Sequence, residues 1–98
     1  MSKAYVIAEA TVSDPERYEK YKALAGAAVA KYGGRYVVRG GATQVLEGEW
    51  APARLVVLEF DSVEQAQRFY DSLEYRSARE QRAGAATMNM LAVESLPG

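Results

Sequence analysis

Two glutamates and two arginines stand inside predicted strands, and these four side chains have the most chemistry to offer. Glu9 and Glu59 each come late in an otherwise apolar strand, where burial raises a carboxyl pKa and suits a general base. Arg35 and Arg39 alternate within the run RYVVR, which predicts that both point to one side of their strand. An arginine facing the interior could hold a carboxylate in a bidentate grip. The alternative for all four is a surface charge or a rim ion pair, since buried charges are usually paired.

The two glutamates are not predicted to act together, because antiparallel first and third strands would place them near opposite ends of the sheet. The adjacent glycines Gly40 and Gly41 interrupt the second predicted strand. Glycine there indicates a β-bulge, and its bare backbone would also let a ligand approach the N–H groups. Trp50 stands in a connection, where it could cover a pocket or, as we expect, contact a partner subunit.

Two more residues complete the predicted ligand-binding set. Tyr75 begins a short helix and could offer its hydroxyl group to a ligand. Asn89 lies inside the last predicted strand, where its amide either enters a pocket or is solvated. The full set, in which no residue is predicted to be catalytic, is Arg39, Gly40, Gly41, Trp50, Glu59, Tyr75 and Asn89.

Composition excludes several classes of function. The 98 residues contain no cysteine and no histidine, so disulfides, thiolate chemistry and the usual metal ligands are excluded. No metal and no cofactor is predicted. The formal charge of -1 gives no electrostatic reason to expect nucleic acid or an anionic membrane as a partner. No apolar run has signal-peptide or membrane-span length, and a cytoplasmic protein is expected.

Residues 1–98 are expected to form a single domain. Hydrophobic periodicity and turn residues divide the chain into elements. Asp14, Ser62 and Ser72 are predicted helix N-caps, and Gly33 and Gly34 a helix end. The predicted order is a strand at Lys3–Thr11, a helix from Asp14 to Gly34, a strand at Arg35–Arg39 continuing through Thr43–Gly48, a strand at Arg54–Phe60, helices from Ser62 and from Ser72 to about Arg82, and a strand at Ala85–Leu96.

This order predicts an α+β fold, a ferredoxin-like βαββαβ domain with a four-stranded antiparallel sheet. The helices of that arrangement cover one sheet face only. Strand RLVVLEF is apolar at nearly every position, so the second face also needs cover. A second copy of the chain would supply it, and two-fold symmetry is the commonest solution. A homodimer is therefore expected.

Several segments together resemble the DUF1330 family, a domain of unknown function. They are DPERYEKY, KYGGRYVVRGG, VLEGEW, RLVVLEF and FYDSLEYRSAREQR, and the likeness covers nearly the whole chain. The resemblance implies a dimeric α+β barrel made of two ferredoxin-like sheets packed face to face. The superfamily so implied includes antibiotic-biosynthesis-type monooxygenases, haem proteins similar to chlorite dismutase, and isomerases, besides members of no known activity.

Two functions remain open from the sequence. The first is a homodimer that binds a small molecule in or beside the barrel, or serves as a scaffold. The alternative is a cofactor-free enzyme, similar to the monooxygenases or isomerases, acting on a small hydrophobic or aromatic metabolite. Fold likeness alone does not decide between them, because one fold hosts many activities. A polar pocket in which Arg39 and a strand glutamate converge would favour the enzyme.

Overall fold

The computed structural model describes residues 2–97, and its elements follow the predicted order. They are β1 (Ala4–Val12), α1 (Pro15–Lys31), β2 (Arg35–Arg39), β3 (Arg54–Phe60), α2 (Val63–Asp71), α3 (Leu73–Arg82) and β4 (Ala86–Glu94). The sheet order is β2-β3-β1-β4, and every neighbouring pair is antiparallel. This is the ferredoxin-like βαββαβ topology, with α2 and α3 both in the second helical connection.

Each helix begins at the N-cap that the sequence predicts. A side-chain oxygen of Asp14, Ser62 or Ser72 accepts a hydrogen bond from the backbone N–H three residues later, which satisfies one free donor of the first turn. Gln65 stands three residues after Ser62, the position of a capping-box residue, and its side-chain amide nitrogen donates to the Tyr32 carbonyl at the end of α1, at 2.6 Å. Within residues 2–97, no helix combines the length and apolar character needed to cross a membrane.

All three helices pack on one face of the sheet, which we call the helix face. The even-numbered residues of β1 point to it and are buried up to Ala10, whereas the odd-numbered residues point to the opposite, outer face. The core on the helix face joins strand residues to aromatic side chains of all three helices. Phe69 of α2 lies with its ring centroid 5.2 Å from Phe60 and 4.5 Å from Tyr75. The hydrophobic core is therefore one-sided.

Strand β2 contains a bulge that sequence alternation did not reveal. Tyr36 and Arg39 pair with Leu58 and Val56, two helix-face residues of β3, and the register shifts between Tyr36 and Val38. Arg35 instead pairs with Glu59 on the outer face. The prediction that Arg35 and Arg39 point to one side is wrong, because one extra residue in a bulged strand reverses the side to which later residues point.

The second strand also ends earlier than predicted. Strand β2 stops at Arg39, so the bulge expected at Gly40 and Gly41 and the continuation over Thr43–Gly48 are both wrong. Gly40 adopts a φ of 74°, a left-handed conformation that glycine reaches without steric cost. Residues 41–53 form a loop without regular secondary structure, and its Leu46 and Trp50 are 92% and 62% exposed.

Two glycines allow a matched test of packing around α1. A Cβ added at Gly26 would lie 3.8 Å from the nearest side-chain atom, an ordinary contact, whereas one added at Gly34 would lie 2.6 Å from the Phe60 ring. Phe60 is fully buried. We expect Gly26→Ala to stabilise the protein by up to ~1 kcal/mol through helix propensity. Gly34→Ala should destabilise it by ~1–3 kcal/mol through overpacking.

Urea denaturation of both variants and the wild type measures these free energies of unfolding. Equal effects of the two substitutions would contradict this packing, since Gly26 lies within α1 with room for an added methyl group, whereas Gly34 follows the helix and faces the Phe60 ring.

Candidate functional site

A cavity on the helix face lies between α1, α3 and the sheet, and we call it the helix-side cavity. Its volume is about 30 Å³, more than the ~10–15 Å³ that a cavity needs to hold one water molecule. Tyrosine, methionine and aliphatic side chains form most of its wall, and Lys22, Arg39 and Arg54 are the charged residues among those that line it. A mainly apolar cavity with a few converging polar groups is the usual form of a small-molecule site.

Arg39 reaches this cavity because of the β2 bulge. Its guanidinium carbon lies 4.1 Å from the centroid of the Tyr36 ring, a stacking geometry that orients the planar group and is favourable electrostatically. The residue is exposed overall. Arg39 therefore stands at the mouth of the helix-side cavity, held against Tyr36 and open to solvent.

The Arg54 side chain packs against Gly40, whose φ of 74° already favours glycine. A Cβ at Gly40 would lie 2.3 Å from Nη1 of Arg54, so the arginine occupies the space that a side chain there would need. The guanidinium carbon of Arg54 also lies 5.8 Å from the centroid of the Tyr18 ring. Its Nε is buried without a hydrogen-bond partner. Among the described residues, neither Arg54 nor Arg39 forms an ion pair.

Tyr75 is fully buried and joins α3 to α1 through its hydroxyl group. The hydroxyl oxygens of Tyr21 and Tyr75 are 2.7 Å apart. Burial, and then the neighbouring Tyr75, raise the pKa of Tyr21 far above its ordinary value. Both residues line the helix-side cavity. The pair therefore presents two hydroxyl groups, engaged with each other, at the cavity wall.

The outer face carries a separate polar cluster around Glu9. The Glu9 carboxylate accepts hydrogen bonds from Nε1 of Trp50 at 2.9 Å and from Nδ2 of Asn89 at 3.1 Å. The three side chains line an open groove of about 390 Å³. The expectation that Glu9 pairs with an arginine is wrong, because these two neutral donors take that place.

Glu59 also lies on the outer face, where its expected ion pair is confirmed. It pairs with Arg35, whose Nε donates at 3.0 Å, and with Lys3 at 3.4 Å, and it accepts a hydrogen bond from the Tyr5 hydroxyl at 2.9 Å. The hydrogen bonds from Arg35 and then Tyr5 lower the pKa of Glu59 from 4.5 to about 2. The carboxylate is thus stabilised as an anion, the opposite of what a general base near neutral pH requires.

The predicted ligand-binding residues divide between the two faces of the sheet. Arg39 and Tyr75 line the helix-side cavity, and Gly40 adjoins it by accommodating Arg54. Trp50, Asn89 and Glu59 lie on the outer face, and nothing lies within 4 Å of a Cβ added at Gly41. Arg39 and a strand glutamate therefore do not converge.

Sequence reasoning missed three contributors to the cavity, Tyr18, Lys22 and Arg54. The alternation of β3 was a usable signal for Arg54, since it places that residue on the same face as Val56 and Leu58. Tyr18 and Lys22 lie one turn apart on α1, but only the packing of the helix shows that both reach the cavity. Within residues 2–97, no group of three or more acidic side chains is placed to hold a metal ion.

The lowered pKa of Glu59 predicts a pH-dependent contribution to stability. A carboxyl group with a folded-state pKa near 2 and an ordinary value of 4.5 stabilises the fold above the ordinary value and loses that effect as the pH falls towards the folded value. We expect Glu59→Gln to lower the free energy of unfolding at pH 7. The variant should also show a weaker pH dependence of that free energy between pH 4.5 and about pH 2.

Denaturant titrations from neutral to acidic pH measure this dependence. Glu80→Gln is the matched control, because Glu80 is exposed on α3 and forms no ion pair among the described residues. Parallel pH profiles for Glu59→Gln and the wild type would contradict the prediction.

Comparisons with solved structures show the same fold at low sequence identity. A protein of unknown function from Rhodopseudomonas palustris is 19% identical, with a TM-score of 0.75 over 99% of this chain and 85% of that one. SnoaB, a cofactor-independent oxygenase from Streptomyces nogalater, is 13% identical, with a TM-score of 0.63 over 100% of this chain and 97% of that one. A dimeric ferredoxin-like protein of unknown function from Bacteroides fragilis is 14% identical, with a TM-score of 0.64 over 95% of this chain and 96% of that one.

No curated protein matches the chain. A family model, however, covers almost all of it, from residue 3 to residue 96. The fold, the sequence segments and this match agree, and the chain belongs to the family described as Domain of unknown function (DUF1330).

Proposed function

We propose that this protein is a homodimer, packed through the outer faces of its sheets, in which each copy binds a small molecule in the helix-side cavity. The observation that carries the proposal is the cavity itself, in which Arg39 and Arg54 meet an aromatic and methionine wall. Converging polar groups on an apolar wall are typical of ligand sites. This lining supports a binding protein rather than a scaffold whose interior is filled by side chains.

The dimer is supported by what the outer face exposes. Leu91 and Val93 of β4 are 59% and 44% exposed there, and Ile7, Leu55 and Val57 lie beside them in the sheet register. A chain of this length gains stability by covering such a face, and two-fold association is its commonest form. The related fold from Bacteroides fragilis, which is dimeric, adds support.

The outer-face groove beside Glu9 is larger than the helix-side cavity, but it is a weaker candidate for the ligand. That groove is open and its apolar wall includes Ile7, Leu55 and Leu91, which are the residues that a second copy would cover. In the proposed dimer, Trp50 would contact the partner, and its hydrogen bond to Glu9 would position it. The helix-side cavity stays accessible in either state of association.

We expect the wild type to sediment as a dimer at micromolar concentration and Leu91→Arg to sediment as a monomer. The substitution places a charge on the apolar outer face, where an unpaired charge is costly to bury. Leu73→Arg is the matched control, since Leu73 is 75% exposed at the start of α3 and should leave the dimer intact. A monomeric wild type would contradict the proposed assembly.

Small-molecule binding is tested by titrating fragments into protein with labelled methionine methyl groups. Met88 lines the helix-side cavity and not the outer-face groove, whereas Met90 lines both, so a fragment bound in the cavity should shift the Met88 methyl signal. The amide signals of Ile7 and Leu55 on the outer face report competing binding there. Fragments that shift only the outer-face signals, or no fragment that binds at all, would overturn the proposed ligand site.

The second candidate function is a cofactor-free enzyme acting on a small hydrophobic or aromatic metabolite. It is favoured by the likeness to SnoaB, a cofactor-independent oxygenase, although a shared fold hosts many activities. The ionisable groups of the helix-side cavity are tyrosines, Lys22 and the two arginines, which would stabilise an anionic intermediate. Oxygen consumption with small acidic phenols that are ionised at neutral pH, compared between the wild type and Arg39→Gln, tests this candidate.

A further inference from the structure

We infer that the ligand of the helix-side cavity is a small carboxylic acid, bound as its carboxylate between Arg54 and Arg39, with an apolar or aromatic body. This inference rests on the proposed function and specifies its ligand class. Three independent features of the described residues support it: the charge of the lining, the unsatisfied donor of Arg54 and the volume of the cavity.

The lining of the helix-side cavity is basic although the chain is not. The charged residues among those that line it are Lys22, Arg39 and Arg54, whereas the formal charge of the whole chain is -1. Lys22 has a carboxylate partner in Glu19, at 2.9 Å. Arg39 and Arg54 have none among the described residues. Two guanidinium groups without counter-ions at one cavity create a local field that favours an anion.

Arg54 supplies the most specific evidence. Its Nε is buried and lacks a hydrogen-bond partner, and a buried donor that stays unsatisfied is costly. Nη1 of Arg54 lies in the space beside Gly40, and the guanidinium carbon is 5.8 Å from the centroid of the Tyr18 ring. A carboxylate accepts from Nε and a terminal nitrogen of one arginine in a bidentate pair. A rotation of the flexible Arg54 side chain towards the cavity would bring Nε to such a ligand and satisfy the buried donor.

Arg39 is placed to close the same site from the mouth. The bulge in β2 turns it to the helix face, and its guanidinium plane is supported by the Tyr36 ring at 4.1 Å. Its Nη2 lies 3.8 Å from the Cβ position of Gly26 on α1. The side chain therefore spans from the sheet edge to the helix, across the opening that a ligand would use.

The cavity volume limits the buried part of the ligand. The enclosed part of the cavity is small, about 30 Å³, so a planar carboxylate fits it better than a bulkier tetrahedral phosphate. The body of the acid would then lie at the mouth, against the ring of Tyr36. A larger buried body requires the flexible side chains of Lys22 and Arg39 to move outwards.

Benzoate and its neutral isostere benzamide test the inference on the full chain at constant ionic strength. Binding is followed by NMR through the Nε–H signal of Arg54 and the methyl signal of Met88. We expect benzoate to shift both signals and benzamide to bind at least about tenfold more weakly, as loss of a charged hydrogen-bond partner predicts. Inorganic phosphate, added separately, should bind more weakly than benzoate.

The variants Arg54→Gln and Arg54→Lys separate the guanidinium group from simple positive charge. Arg54→Gln should weaken benzoate binding at least about tenfold and leave benzamide unchanged. Arg54→Lys, which keeps the charge and provides a second variant if the first fails to fold, should restore only part of the affinity because lysine cannot pair bidentately. Arg76→Gln is the control, since Arg76 is exposed on α3 away from the cavity lining.

The outcomes distinguish this inference from the proposed function. Equal binding of benzoate and benzamide at the Met88 signal would overturn the carboxylate inference and leave the small-molecule site in place. Tighter binding of phosphate than of benzoate would replace the carboxylate with a phosphate ligand and also overturn it. Benzoate binding that Arg54→Gln does not weaken would remove Arg54 from the site. Binding of neither probe, together with an empty fragment screen, would overturn both proposals.

Discussion

The one-sided packing of helices on the sheet is the constraint on which the rest of this structure depends. Because α1, α2 and α3 all cover the helix face, each strand residue lies either under the helices or on the outer face. Alternation along β1 and β3 decides which of the two faces each residue points to. The helix face receives the aromatic core and the helix-side cavity. The outer face keeps apolar residues such as Leu91 exposed. The cavity and the exposed apolar surface thereby lie on opposite sides of one sheet.

Two local backbone features give the helix-side cavity its charge. The β2 bulge turns Arg39 towards the helices, whereas regular alternation would have left it on the outer face beside Arg35. One residue later, Gly40 adopts a positive φ and leaves room for Arg54. The bulge and the glycine are thus parts of one arrangement that places Arg39 and Arg54 at the cavity. Bulges that redirect a side chain are common beside binding sites.

The sequence predicts the fold better than it predicts the site, for a physical reason. Helix caps at Asp14, Ser62 and Ser72 are local hydrogen bonds between residues three apart, so the sequence reveals them. The side to which Arg39 points depends instead on register with β3, a contact between distant segments. The partner of Glu9 likewise comes from a loop 41 residues away. Alternation placed Arg35 and Arg39 together because it cannot detect an extra residue in the strand.

The distribution of charges between the two faces bears on what chemistry the protein can perform. The strand carboxylates Glu9 and Glu59 lie on the outer face with hydrogen-bond donors of their own, and the pKa of Glu59 is lowered to about 2. The helix-side cavity keeps the cations and the mutually bonded hydroxyls of Tyr21 and Tyr75. Such a cavity stabilises an anion but offers poor acceptors for a proton. A catalytic role would therefore require a substrate that is ionised before it binds. Binding of an anion, in contrast, requires only the positive charge that the two arginines supply.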